Sequence, residues 1–269
     1  MLDLDPVKLA GHVKDAPAFE LPFHHEVLLP KVCGLQLTKF MVLELVAALA
    51  MIVILVPLAR KLATGKPPKG YVANLFELMI MFIRDEVVRP AIGRHDADRF
   101  LPLILTLFFF ILFCNLLGLL PWMGSPTASI NTTAPLAVMT FAAGIGAGMK
   151  KYGVAGFWLG LCPHMELPPL LKVVLVPMIL VLEIVGLVIK HCILAVRLLA
   201  NMFGGHLVLA MIVGFIPAMA ASLLWPGVTV LSVLGGTAIS LLELLVAFLQ
   251  AYIFAFLSAL FIGMNVHQH

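Results

Sequence analysis

The sequence predicts an all-α polytopic membrane protein, with about five membrane-embedded helices and one amphipathic surface helix. Three observations carry this. Hydrophobic residues make up 62% of the 269-residue chain and charged residues only 12%, about half the charged share of a soluble domain. The mean hydropathy is +1.10, so most of the surface must face lipid. The apolar stretches are continuous, where a membrane β-barrel would alternate, and backbone at membrane depth must be satisfied internally.

Residues 1–36 read as a polar tail and residues 37–269 as a single membrane domain. The first span covers 37–60, with Pro57, Arg60 and Lys61 at its end; Glu44 lies in its first half, within reach of the interface. Residues 70–90 carry Leu75, Leu78, Met79, Phe82 and Ile83 at helical spacing among Glu77, Arg84, Asp85 and Glu86. That is the pattern of a helix lying on the membrane surface. A second span covers 100–121 and ends at Pro121. An uncharged loop rich in Ser, Thr, Pro and Asn follows at 121–133, then a shorter span at 134–150 closed by Lys150 and Lys151. In the connection 152–167, residues 157–161 are apolar enough for a re-entrant piece.

Beyond Lys172 near its start, the run 168–221 is interrupted only by Glu183, Lys190, His191, Arg197, Asn201 and His206. One crossing needs roughly 20 residues, so this run holds either two spans or one long tilted helix. The last run, 228–263, is also too long for an upright span.

Lys and Arg set the orientation. Arg60, Lys61, Lys66, Lys69, Arg84, Arg89, Arg94 and Arg99 fall in one segment, and Lys150 and Lys151 begin another. The loops 121–133 and 222–227 carry no charge. The basic segments therefore face the cytoplasm, the N-terminal tail faces the other side, and the C-terminus is cytoplasmic.

Several function classes drop out. The net charge is +3, and the basic residues are spread along loops without interleaved aromatics, which argues against nucleic-acid binding. Cys33, Cys114, Cys162 and Cys192 are far apart and show no metal spacing; they read as apolar thiols. His12, His24, His25, His267 and His269 read as tail residues without ligand partners, so neither a metal nor a cofactor is expected. Residues 1–30 do not have the form of a signal peptide or transit leader, which favours a bacterial membrane over a mitochondrial one.

Glu183, Lys190 and Arg197 repeat every seven residues, nearly two helical turns, so all three share one face with a drift of about 20° per step. Asn201 is one turn beyond Arg197. The next helix offers Glu243 and Gln250, again seven apart. A charged side chain at the bilayer centre costs roughly 3 to more than 10 kcal/mol. Each stripe must therefore meet protein, water or an opposite charge. A purely structural Arg197–Glu243 lock would not require Asn201, His206 and Gln250 as well.

These residues carry a resemblance. The stretch from Glu183 through Arg197, Asn201, Gly205 and His206 resembles the signature helix of subunit a of F-type ATP synthases. The stretch from Glu243 through Gln250 to Tyr252 resembles that subunit's final helix. Asn74, Glu77, Pro102, Asn115, Pro121 and the segment 126–133, with Asn131 in its polar turn, also look like the family. The resemblance covers roughly residues 20–263.

It implies a mechanism: the subunit stands as a stator beside a rotor ring of subunit c, and two water-filled half-channels bring protons to and from the ring carboxylate. Arg197 matches the family's essential arginine, which separates the half-channels. His206 and Glu243 match a relay pair. In some members the carboxylate stands on the first helix and the imidazole on the second; here the order is reversed, as in another large branch. With the orientation above, His206, Glu243, Asn201 and Gln250 belong to the outer half-channel and Glu183 to the inner one. Lys190 either tunes Glu183 or snorkels to the interface. Tyr252 is either a donor to the channel or packed core.

The resemblance also implies that the last two helices form a tilted hairpin against the ring. The expected partners are the subunit c ring, peripheral-stalk subunit b, the other synthase subunits and membrane lipid. No catalytic site of its own is expected. A stand-alone secondary transporter or proton channel would need a repeat that is absent here. An intramembrane hydrolase would need a nucleophile or metal motif.

Overall fold

The computed structural model describes residues 15, 18–21, 25–32, 35–63, 70–120, 123–161, 169–220 and 222–267. Five of its helices are long and apolar enough to cross a membrane, and the protein is an integral membrane protein. The long helices are α1 (Lys39–Ala63), α4 (Arg94–Gly118), α5 (Ile130–Tyr152), α7 (Pro169–Ala218) and α8 (Trp225–Val266). Shorter ones are α2 (Tyr71–Phe82), α3 (Arg89–Ile92) and α6 (Val154–Gly160). The run that left two spans or one open is a single 50-residue helix, α7.

Four differences from the sequence reading have local causes. The polar tail is not featureless: β1 (Ala18–Leu21) pairs antiparallel with β2 (His25–Leu28), and β3 (Lys31–Val32) with β4 (Leu35–Gln36). Gln36 Nε2 donates to the Leu29 carbonyl at 3.1 Å, and Asp15 accepts from the Phe40 amide at 3.1 Å, tying the tail to the start of α1. Helix α5 begins at Ile130, because Ser129 accepts from the Asn131 and Thr133 amides and so caps what reads as loop. Helix α4 begins at Arg94, immediately after Gly93 at φ 88 breaks the preceding turn. His267 is not a free tail residue: its Nε2 donates to the Ile92 carbonyl at 2.7 Å.

The chain forms two compact units. One comprises Met1–Pro68, Phe108–Thr133 and Arg197–Tyr252. Its centre is Ala128, Met202 and Ala247, with Leu119, Phe203 and Val246 packed on them. A buried hydrogen-bond chain runs through it. Ser125 Oγ and Thr127 Oγ1 are 2.7 Å apart, Thr127 donates to Asn115 Oδ1 at 2.7 Å, and Asn115 Nδ2 donates to the Ala247 carbonyl at 3.2 Å. Ser125, Thr127 and Asn115 are fully buried. Polar groups at this depth must be paired, and this chain fastens α4 and the turn after it to one carbonyl of α8. Gly118 permits the approach, since a Cβ there would collide with Ser125. On the same side, Thr132 donates to the Glu44 carboxylate at 2.6 Å.

The other unit comprises Lys69–Leu107, Ala134–Val196 and Ile253–His269. Residues 70–90, expected as a single amphipathic helix, are α2 followed by a π-helical turn, Ile83–Val88. Pro90 has no N–H to continue the regular ladder, which accounts for the wider turn. Helix α2 buries none of its residues, whereas Ile83, Val87, Val88 and Ile92 are fully buried. Tyr152 donates to the Val266 carbonyl at 2.9 Å, and Gly263 lies against the Ala91 carbonyl. Cys114 is buried and Cys192 exposed, both as free thiols; Cys33 and Cys162 lie outside the described residues.

On the π turn, Asp85 receives Arg84 at 3.0 Å and Arg89 at 2.6 Å. The hydrogen bonds from Arg84 hold the Asp85 carboxyl below its ordinary range, and Asp85 in turn raises Arg84. A depressed carboxylate stabilises above its unfolded pKa, and that contribution is lost as pH falls through the folded value. Amide exchange over residues 83–89, corrected for intrinsic rate, is therefore expected to accelerate below the ordinary carboxylate range, and Asp85→Asn to remove that pH dependence. A second expectation concerns Asn115→Leu. It fills the volume but breaks both bonds, and should cost about 1–2 kcal/mol, near the upper end for interhelical bonds in membranes. The check is the thermal midpoint of the detergent-solubilised protein against Asn115→Gln.

Candidate functional site

Helix α7 separates its buried residues from its charged ones. Leu187, His191, Leu194, Ala195, Leu198 and Met202 are buried and recur at spacings of three and four, a single packed stripe. Glu183, Lys190 and Arg197 are half-buried and Asn201 is exposed, and all four lie roughly a quarter turn round the helix from that stripe. The charged residues thus flank the packed face. Outward-facing Val181, Val185, Ile189, Ile193 and Val196 are exposed, as expected for a lipid surface.

Helix α8 is arranged differently. Its buried stripe includes Glu243, Ala247, Gln250, Ala251, Phe254, Ala255, Ser258 and Ala259. Alanines at four-residue intervals allow close helix approach. Glu243 and Gln250 belong to this stripe and are only 7% and 2% exposed. The two seven-residue repeats look alike in the sequence, but one faces packed protein and the other lies at its edge.

Within the unit that holds Arg197–Tyr252, the two helices meet through polar contacts. Asn201 Nδ2 donates to Gln250 Oε1 at 2.9 Å. The Glu243 carboxylate lies against Gly205, where any Cβ would collide with it. Glycine is thus required opposite the acid, next to His206. The His206 ring and the Glu243 carboxylate do not hydrogen-bond one another among the described residues. His206 Nε2, Glu243 Oε1 and Gln250 Nε2 are buried and have no partner there. Such atoms are scarce in native proteins, because each costs about 1–3 kcal/mol. Three of them on one short stretch of two helices mark a site.

Arg197 makes no hydrogen bond and no ion pair among the described residues; the Arg197–Glu243 lock is not formed. Tyr252 is half-buried. In the other unit, Glu183 and Lys190 line a cavity of about 420 Å³ together with His191, Asn265 and His267. Sequence reasoning set His191 aside and did not find Asn265. A histidine directly after Lys190 on the packed side of a spanning helix was the available signal.

The polar residues lie inside a stretch that matches known proteins. A sequence model of the family described as "ATP synthase A chain" matches residues 41–263. A relative named "ATP synthase subunit a" from Chloroherpeton thalassium is 40% identical, over 97% of this chain and 78% of the relative. Its namesake from Myxococcus xanthus is 36% identical, over 98% and 89%. "ATP synthase subunit a 2" from Chlorobaculum tepidum is 39% identical, over 94% and 71%. The matched residues run from the first turn of α1 almost to the end of α8 and take in Glu183, Lys190, Arg197, Asn201, His206, Glu243 and Gln250, and the chain therefore belongs to the ATP synthase A chain family, as a subunit a of the F-type synthase.

Proposed function

We propose that this subunit carries protons to and from a rotor ring through two half-channels, with Arg197 as the fixed charge between them. The observation that supports this best is Arg197 itself. A guanidinium stays protonated under all working conditions, and here it stands half-buried on a membrane helix without an anion among the described residues. Its counter-charge then belongs to another chain. A membrane carboxylate on each copy of subunit c fits, since each arrives deprotonated, pairs transiently and leaves when it is neutralised.

The partnerless atoms of His206, Glu243 and Gln250 suit a hydrated path. Water can bridge an imidazole and a carboxylate that do not touch, and histidine exchanges protons near neutral pH. The Asn201–Gln250 bond holds α7 and α8 together beside it. Glu183 and the cavity it lines form the inner half-channel, with Lys190 as a modifier of that carboxylate. The basic segments face the cytoplasm, the C-terminus with them, and the N-terminal residues face outward across a bacterial plasma membrane. Tyr252 stands about half a turn round α8 from Glu243 and Gln250, so it belongs to the packing of that helix and not to this path.

Length supports a tilted hairpin. At 1.5 Å per residue α7 is about 75 Å long and α8 about 63 Å, against a hydrocarbon core of about 30 Å. Helices of that length must slant steeply, and a slanted pair can follow the wall of a ring. The ring of subunit c and the stalk subunit b are the proposed partners, and the subunit contributes no catalytic chemistry of its own. A stand-alone transporter would purify without ring and ATPase subunits and be active alone; a stator subunit would bring both with it.

Replacing either relay residue should slow proton flux without preventing assembly, because water substitutes in part. The exchange His206→Glu with Glu243→His should recover more flux than either single change. Proton uptake by vesicles measures it, and wild-type flux in both single variants would remove the relay role.

Arg197→Ala should abolish ATP-driven pumping and ATP synthesis in an assembled complex and open a passive leak. One charge crossing 100 mV releases about 2.3 kcal/mol, so an unguarded path dissipates the gradient. Arg197→Lys should also fail at coupled turnover, since a desolvated ammonium can lose its proton and has no planar fork. Acidification of reconstituted vesicles on ATP addition, beside a potential-driven leak assay, tests both; normal pumping by Arg197→Ala would overturn the reading.

A further inference from the structure

The cavity lined by Glu183 and Lys190 holds a side chain with unused proton capacity. His191 is on α7 and 5% exposed. Its Nδ1 lies 2.9 Å from the Leu187 carbonyl. A carbonyl can only accept, so Nδ1 carries the hydrogen, and in a neutral ring Nε2 is then a bare lone pair. That Nε2 is buried and has no partner among the described residues. Two phenyl rings pack against it: the Phe141 ring edge-on, 5.0 Å away at 73°, and the Phe261 ring tilted, 5.0 Å away at 49°. His191 also lines the cavity of about 420 Å³, beside Leu187, Glu183, Lys190, Asn265 and His267. A packing residue at this position would be served by a third phenyl ring. An imidazole with one nitrogen anchored and the other unfilled at the wall of a polar chamber is arranged for proton exchange.

We propose that His191 is a proton-exchanging residue of this chamber, working at Nε2 in company with Glu183. The proposal rests on the half-channel reading above. A turn about χ2 presents Nε2 to chamber water. A hydrated proton from the bulk then gives up one O–H as one N–H forms at the lone pair, and the resulting imidazolium returns its Nδ1–H to the Leu187 carbonyl when the ring turns back. Through water the imidazolium hands the proton to the Glu183 carboxylate; one N–H breaks, one O–H forms, and both residues end neutral. Among the described residues, the other charged or titratable groups on the chamber wall are Lys190, from α7, and His267, just after α8, whose Nε2 is engaged by the Ile92 carbonyl. Helix α5 contributes Phe141 to the ring, and the segment Gly160–Leu161 adds no charge.

The test uses the intact synthase in inverted vesicles, which expose the chamber side to the bulk. His191→Gln keeps a polar group that cannot titrate, and His191→Phe keeps the aromatic packing. ATP-driven pumping is compared with wild type at a series of bulk pH values. Pumping draws protons from the chamber, so the benefit of His191 follows its protonated fraction. The wild-type to variant rate ratio should be largest on the acidic side. It should fall towards one as pH rises through the imidazole range, about pH 5 to 8. The same ratio at every pH would assign His191 to packing and overturn the proposal.

Where His191→Gln fails to assemble, His191→Phe carries the comparison. Independently of either, solid-state nitrogen spectra of histidine-labelled wild-type complex should show a neutral His191 with its hydrogen on Nδ1; hydrogen on Nε2 alone would overturn it too. Arg197→Ala in the same vesicles separates the two levels. If it pumps normally, the half-channel reading has failed. If it is inactive and the His191 ratio is flat, only His191 loses its role.

Discussion

A guanidinium set in hydrocarbon must have somewhere to put its charge, and much of this protein follows from where Arg197 is set. Its helix buries one stripe in protein and leaves the charged stripe at the edge of that packing, half-covered. Left against lipid, the charge would cost several kcal/mol, comparable with the whole stability of many domains. Paired inside the subunit, it would be a structural lock and unavailable to anything passing. The intermediate position, with no counter-charge among the described residues, is costly alone and sensible in an assembly.

The opposite helix takes the complementary solution. Glu243 and Gln250 sit in the packed stripe of α8, so their positions are set by the register of that helix. Register comes from a small number of contacts. Asn115 grips the Ala247 carbonyl from α4, four residues after Glu243 and three before Gln250. Ala247 and Ala251 present no bulk, and Gly205 leaves space for the Glu243 carboxylate. The buried Ser125–Thr127–Asn115 chain is thus far from decorative. It is fully satisfied, and it holds in place side chains that are not. Stability is concentrated in one set of polar groups, beside an adjacent set whose atoms are buried without partners among the described residues.

Much of this was legible in the sequence, because two of its signals are coarse and strong. Continuous apolar runs bounded by Lys and Arg give spans, and seven-residue spacing puts Glu183, Lys190 and Arg197 on one face whatever the surroundings. Local signals were overridden where capping or glycine decided the outcome. Ser129 starts α5 inside the residues that read as loop, and Gly93 starts α4 inside a stretch that reads as polar surface. The strands near the N-terminus were invisible, since four-residue hairpins leave little periodicity. The Asn115 lock could not be read as such, because nothing in the sequence says that residues 115 and 247 meet. His191 was hidden for a related reason: spacing identifies a shared face, but only packing distinguishes a face that is buried from one that is half-open.

That distinction separates the two long helices more sharply than their composition does. On α7 the charged groups lie at the edge of the packing, open to whatever stands outside it. Broad tolerance there would be expected for Lys190, whose charge can be swung aside on a flexible stem, and none for Arg197, whose charge cannot be switched off. On α8 the acid is enclosed, and its neighbours are Ala, Gly and the Asn115-held carbonyl. A change in any of them moves Glu243 by a fraction of an ångström against His206. Proton transfer through a bridging water depends steeply on such distances, so substitutions at Gly205 or Ala247 should resemble loss of the acid itself although neither residue carries a proton. The division of labour is physical: one helix supplies a permanent charge to the outside, and the other, locked from behind, supplies geometry.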